Sequence, residues 1–169
     1  FGVALAPPGA GQLPPPGKII NVERSKLSTL DNIHVGVVAS PDEARFSPEA
    51  AKKGLWQPYA SATEGAAGLF FLESYNPKKM PVVFVHGIGG SPRNFSALIE
   101  SIDKTRYQVW FMNYPSGFRL EISGDGLFHM LRTLQVRHGF EEVHVIAHSM
   151  GGLVARHAVN ACIEFEGCG

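Results

Sequence analysis

The chain has no surplus of charge: fifteen Lys and Arg stand against fifteen Asp and Glu, a net charge of zero over 169 residues. A protein that tracks a phosphate backbone carries a basic excess, so nothing here points to a nucleic-acid partner. No apolar run reaches the ~18 residues of a membrane span. Only two cysteines occur, Cys162 and Cys168. No histidine stands at a zinc-type spacing from them, so they make no metal site; they read as two ordinary thiols, with a local disulfide as the minority view. The chain opens on Phe1 rather than Met, so the true N-terminus is expected to be missing, the absence of a leader or anchor excludes nothing, and compartment and oligomeric state are left open.

What remains is an ordinary globular composition, 44% hydrophobic and 18% charged, near the size of one domain. Residues 1–17 are rich in Pro, Gly and Ala, too poor in apolar surface to offset their ordering entropy, and read as a linker or tail. Residues 18–65 form an N-terminal extension of unclear role. Within it, 33–39 suggests a strand, and Pro48 with the residues after it suggests a helix ending at Gly54. Trp56, Pro58 and Tyr59 suggest a segment laid against a core. Residues 68–73 look like another strand.

From residue 80 the pattern becomes regular. Runs at 81–86, 107–112 and 143–147 are β-branched and aromatic, as in strands covered on both faces. Between them lie helical patterns. Ser91 and Pro92 start one, with Phe95, Leu98, Ile99 and Ile102 on its inner face. Asp125 caps a second, with Leu127, Met130, Leu131 and Leu134 inward and an end near Gly139. A third carries Val154, His157, Ala158, Ala161, Cys162 and Phe165. Strand and helix alternate at βαβ spacing, which predicts an α/β fold with a parallel sheet, right-handed crossovers and helices on both faces.

Two motifs carry chemistry. Ser149 follows the strand at 143–147 and precedes the third helix, with Ala147 and Gly151 two residues to either side. That is the form of a nucleophile elbow, where a strained turn lifts a hydroxyl off a sheet and small neighbours avoid crowding. Gly152 is expected to let the helix approach the strand, and the Met150 amide to lie at the helix N-terminus, where negative charge is stabilised. A plain N-cap serine is the bland alternative. The second motif is His86-Gly87-Ile88-Gly89-Gly90, directly after the first buried strand. Such a turn leaves an amide free, and Ile88 would supply a second oxyanion donor. A dinucleotide loop needs a third glycine where Pro92 stands.

Each motif after its strand, at this interval, resembles the α/β-hydrolase superfamily, and most nearly its bacterial lipase- and esterase-like members. The likeness runs over roughly residues 66–165. It implies a serine ester hydrolase with Ser149 as nucleophile, the amides of Ile88 and Met150 as the oxyanion hole, and His86 with Gly87 as support for the loop. It implies no metal or organic cofactor, and a small-molecule or lipid ester as substrate. Tyr114 and Phe118, after the second core strand, are candidates for lining an acyl or alcohol pocket, although packing explains them equally well.

The family's acid and base come from loops after later strands. None of the seven histidines here has a fitting context: His157 falls on the apolar face of its helix, and His148 diverges from its neighbour Ser149. Residues 66–169 are therefore expected to be the N-terminal half of a hydrolase domain, truncated after the nucleophile helix. Alone, such a half sheet is expected to expose an apolar edge, fold poorly and hydrolyse feebly. A non-catalytic hydrolase-fold binding module, or an acyltransferase using the same serine, are the other readings.

Overall fold

The computed structural model describes the backbone of residues 2–4 and 32–166 and the side chains of residues 32–164. Six strands form one sheet: β1 (Gly2–Ala4), β2 (His34–Val38), β3 (Gly68–Phe71), β4 (Met80–Val85), β5 (Tyr107–Asn113) and β6 (Glu142–Ala147). Their order across the sheet is β1-β6-β4-β5-β3-β2. Five α-helices accompany them: α1 (Pro48–Trp56), α2 (Pro58–Thr63), α3 (Ser96–Ser101), α4 (Leu120–His138) and α5 (Met150–Glu166).

Period-two alternation assigns the two faces of the sheet. Leu69, Phe71, Val83, Val85, Trp110, Met112, Val143 and Val145 face one way, into a core closed by Leu127, Leu131 and Leu134 of α4 and Val154, Ala158 and Cys162 of α5. Phe70, Val82, Phe84, Val109 and Phe111 face the other way, against Phe46, Phe95 and Ile99. Each large apolar side chain buried this way contributes about 1.5–3 kcal/mol, so truncating one in the centre is costly.

The sheet is mostly parallel, with two antiparallel pairs, β3 with β5 and β1 with β6. β4 runs parallel to β5 on one side and to β6 on the other. β3 pairs antiparallel with β5, and β2 runs parallel to β3. The parallel sheet expected from the βαβ spacing is present over β6-β4-β5, and the antiparallel pairing of β3 lies beside it. Parallel neighbours follow a helical crossover, as between β2 and β3, β4 and β5, and β4 and β6; the link from β3 to β4 contains no helix. β1 was not expected at all. It pairs antiparallel with Glu142–His144 of β6, which covers half of the edge that the sequence reading left bare. The rest of the proposed tail, 5–17, lies outside the described residues.

Several boundaries move. α1 continues past Gly54 to Trp56, because Gly54 is buried in close contact with Pro115 rather than ending the helix. Trp56 and Tyr59 are 73% and 69% exposed, not laid against the core. The helix after Ser91 opens with a 3-10 turn at Pro92–Phe95, capped by Asn94 Oδ1 accepting from the Ser91 amide at 2.7 Å. That turn shifts the helical phase, so Leu98 points outward. α4 begins at Leu120, and Asp125 lies inside it. Gly124, just before the expected cap, is also inside the helix, where His157 of α5 presses against it. The end at Gly139 is as expected, in the left-handed conformation (φ 72°).

Cys162 is disulfide-bonded, which overturns the reading of it as a free thiol. Cys168, the only other cysteine in the sequence, lies outside the described residues. No described helix is long and apolar enough to cross a membrane.

Candidate active site

β6 delivers the elbow. Ser149 alone among the described non-glycine residues has a positive φ, 53°. That conformation costs a residue with a Cβ of order 1–3 kcal/mol and persists only when its surroundings enforce it. The enforcement is visible. The His148 amide donates to the Val85 carbonyl at 3.1 Å, tying the turn to the end of β4, and Gly151 and Gly152 amides close onto the carbonyls of His148 and Ser149 at 2.9 Å. A Cβ at Gly151 would lie 2.3 Å from the Val85 carbonyl oxygen and 2.5 Å from that of His86. Gly151 is therefore fixed by the close approach of α5 to β4. Ala147 pairs with Val85 at the end of β6. Gly152 faces open space, so the expected role of close helix packing belongs to Gly151 instead.

The Ser149 side chain is exposed, and its hydroxyl has no hydrogen-bond partner among the described residues. The 86–90 turn abuts it: a Cβ on Gly87 would stand 2.9 Å from the Ser149 Cβ and 3.1 Å from the His148 carbonyl oxygen. Gly87 keeps this approach possible.

The turn itself is held from below by His86, which is 1% exposed. Its Nδ1 lies 2.9 Å from the Gly87 carbonyl oxygen, so the ring donates there; Nε2 accepts from the Tyr114 amide at 3.3 Å. Burial pushes the imidazole pKa down from 6.5 to about 4, so the ring is neutral. The Gly87 carbonyl also accepts from the Gly90 amide at 3.1 Å. In a planar trans peptide the N–H points opposite to the C=O. Two donors holding the Gly87 carbonyl thus turn the Ile88 N–H the other way, away from His86. Ile88 and Met150 amides donate to no described residue; Met150 is the first residue of α5, where helix amides are unpaired.

Tyr114 is a buried brace. Its ring stacks on His86 at 4.4 Å between centroids, and its hydroxyl donates to the His86 carbonyl at 2.7 Å. Burial raises its phenol pKa. Its hydroxyl is thereby committed to scaffold. One side of the ring still borders an apolar groove of about 450 Å³, shared with Phe118, Met112, Ile122 and Met130. Phe118 also meets Tyr59 edge-on at 5.0 Å.

Sequence reasoning missed Ser116. It is buried, and its Oγ accepts from the Gly89 amide at 2.8 Å. A small polar residue in a Tyr-Pro-Ser-Gly turn carries no signal for a contact 27 residues away. His157 is a satisfied helix-face histidine: its Nε2 pairs with Asp125 Oδ1 at 2.8 Å, tying α5 to α4. This Asp–His pair is not the missing half of a triad. Eight residues of helix put it about 12 Å along the axis from Ser149. No described histidine hydrogen-bonds the serine.

The sequence model of the alpha/beta hydrolase fold family matches residues 80–160. No curated protein and no solved structure matches the chain. The matched span holds β4, the His86–Gly90 turn, β5, β6 and the Ser149 elbow, and over that span the chain is similar to the alpha/beta hydrolase fold family.

Proposed function

We propose that this protein is a serine hydrolase acting on carboxylic esters, lipase- or esterase-like, through an acyl-enzyme on Ser149. The observation that carries the reading is the strained Ser149 (φ 53°), its side chain free and in contact with the Gly87 turn. A residue used only as a helix cap has no need of that conformation. In this mechanism Ser149 Oγ attacks the ester carbonyl carbon while a histidine base, assigned to none of the seven histidines of this sequence, takes its proton. The carbonyl oxygen becomes an oxyanion held by the amides of Ile88 and Met150. The C–O bond to the alcohol then breaks, and the histidine returns the proton to the departing oxygen. Water attacks the acyl-enzyme by the same route and frees the acid. The apolar groove beside Phe118 suits the hydrocarbon part of the ester.

A second reading, a hydrolase-fold binding module, draws on the absence of a base hydrogen-bonded to Ser149 among the described residues. Labelling of the full-length protein with a fluorophosphonate separates the two. The hydrolase reading expects stoichiometric labelling of the wild type and none of Ser149→Ala. A folded full-length protein that takes no label, or a Ser149→Ala variant that labels equally, contradicts it.

A further inference from the structure

The Ile88 amide is useful only if the whole 87–90 turn stays where His86 aims it. His86 and the Gly90 amide fix one peptide of the turn, the one between Gly87 and Ile88. The next peptide, between Ile88 and Gly89, forms the exposed tip. Gly89 has φ 63°, and a glycine there can leave that conformation at little cost. What restrains the tip is one hydrogen bond, from the Gly89 amide to Ser116 Oγ.

Ser116 is itself seated by the region that the sequence left without a role. The next residue, Gly117, donates its amide to the Gly54 carbonyl of α1 at 3.1 Å. A Cβ on Gly117 would lie 2.1 Å from the Leu55 carbonyl oxygen, and one on Gly54 would lie 3.3 Å from the Pro115 Cα. The corner of α1 and α2 is thus pressed onto the 115–117 backbone, with Tyr59 on Phe118 closing the contact. Leu55 also borders the turn, 3.8 Å from where a Gly89 Cβ would be.

We infer that Ser116 is a positioning residue for acyl transfer. It locks the tip of the oxyanion turn, and the α1–α2 corner is the buttress that holds it in place. This rests on the hydrolase reading. The serine touches neither substrate nor Ser149; it acts through the Gly89 peptide on the placement of the Ile88 N–H. A group one step removed from the chemistry still matters, because a misplacement of about 1 Å costs up to ~10²-fold in rate.

The test uses the full-length protein and a fluorophosphonate probe, with acylation rate followed against probe concentration to separate the maximal rate from probe affinity. Ser116→Ala is expected to lower the maximal rate about 10- to 100-fold with probe affinity little changed. Ser116→Thr, which keeps the hydroxyl, recovers most of it. Amide hydrogen exchange at Gly89 is expected to quicken in the alanine variant while the rest of the sheet is unaltered. An alanine variant that acylates at the wild-type rate overturns the inference. So does a slower rate with Gly89 exchange unchanged, because the loss would then come from elsewhere. Failure of the hydrolase reading shows itself separately, as a wild type that is not labelled at Ser149, and takes this inference with it.

Discussion

At the scale of single residues, the two glycines after Ser149 make opposite predictions. Gly151→Ala drives a Cβ into the carbonyls of Val85 and His86; it is expected to cost about 1–3 kcal/mol and to abolish labelling. Gly152→Ala meets nothing and removes helical glycine, so it is expected to be neutral or to stabilise by up to ~1 kcal/mol. Urea unfolding of the pair checks this, and equal effects would contradict it. His86 gives a pH prediction. The unfolded imidazole takes its proton through pH 6.5 and the folded one only through about pH 4. The unfolded state therefore binds more protons in that window, and stability falls as pH drops from 6.5 towards 4. The full loss is about 3 kcal/mol. His86→Gln is expected to flatten this part of the stability profile; an unchanged slope would contradict the assignment. The strained bend at Ser149 and its contact with the Gly87 turn were legible because both lie in contiguous motifs beside strands. Ser116 and the scaffold role of Tyr114 were not, since each depends on a partner 27 or 28 residues distant that no local pattern marks.

At the scale of elements, α4 and α5 form the layer that carries the elbow helix, and Gly124 lies close against His157 between them. A Cβ at 124 would fall 2.5 Å from the His157 ring. Gly124→Ala is expected to destabilise by about 1–3 kcal/mol, and His157→Ala in the same chain to restore part of it. Unfolding of both single variants and the double variant gives the coupling; simple additivity would contradict the contact. The same contact explains why the start of α4 was misread. Gly124 and Gly126 look like turn residues in sequence, and the reason a glycine is needed inside the helix lies on another element. Strand positions from β4 onward were legible from their continuous apolar runs. The direction of β3 was not, because alternation and β-propensity are the same for a strand read either way. Leu98 shows a smaller failure of the same kind, where a 3-10 turn changes the period that the inner face depends on.

At the scale of the whole molecule, the sheet edge decides how well the chain behaves alone. β1 covers Glu142–His144 of β6, whereas Val145, Ile146 and Ala147 have a partner only in β4 among the described strands. Deleting residues 1–4 is expected to bare the rest of that edge and raise association, seen as concentration-dependent light scattering; unchanged scattering would show that β1 protects nothing. Three supports meet at one end of the sheet: β6 presents the serine, β4 the turn, and the loop after β5 the Ser116 hydroxyl that accepts from the Gly89 amide. The direct trial of their joint purpose is a crystal structure of the full-length protein after reaction with a phosphonate. The account predicts a covalent bond to Ser149 Oγ, with the phosphonyl oxygen about 3 Å from both the Ile88 and Met150 nitrogens. An adduct whose oxygen lies away from those two amides, or one formed on another residue, would contradict it.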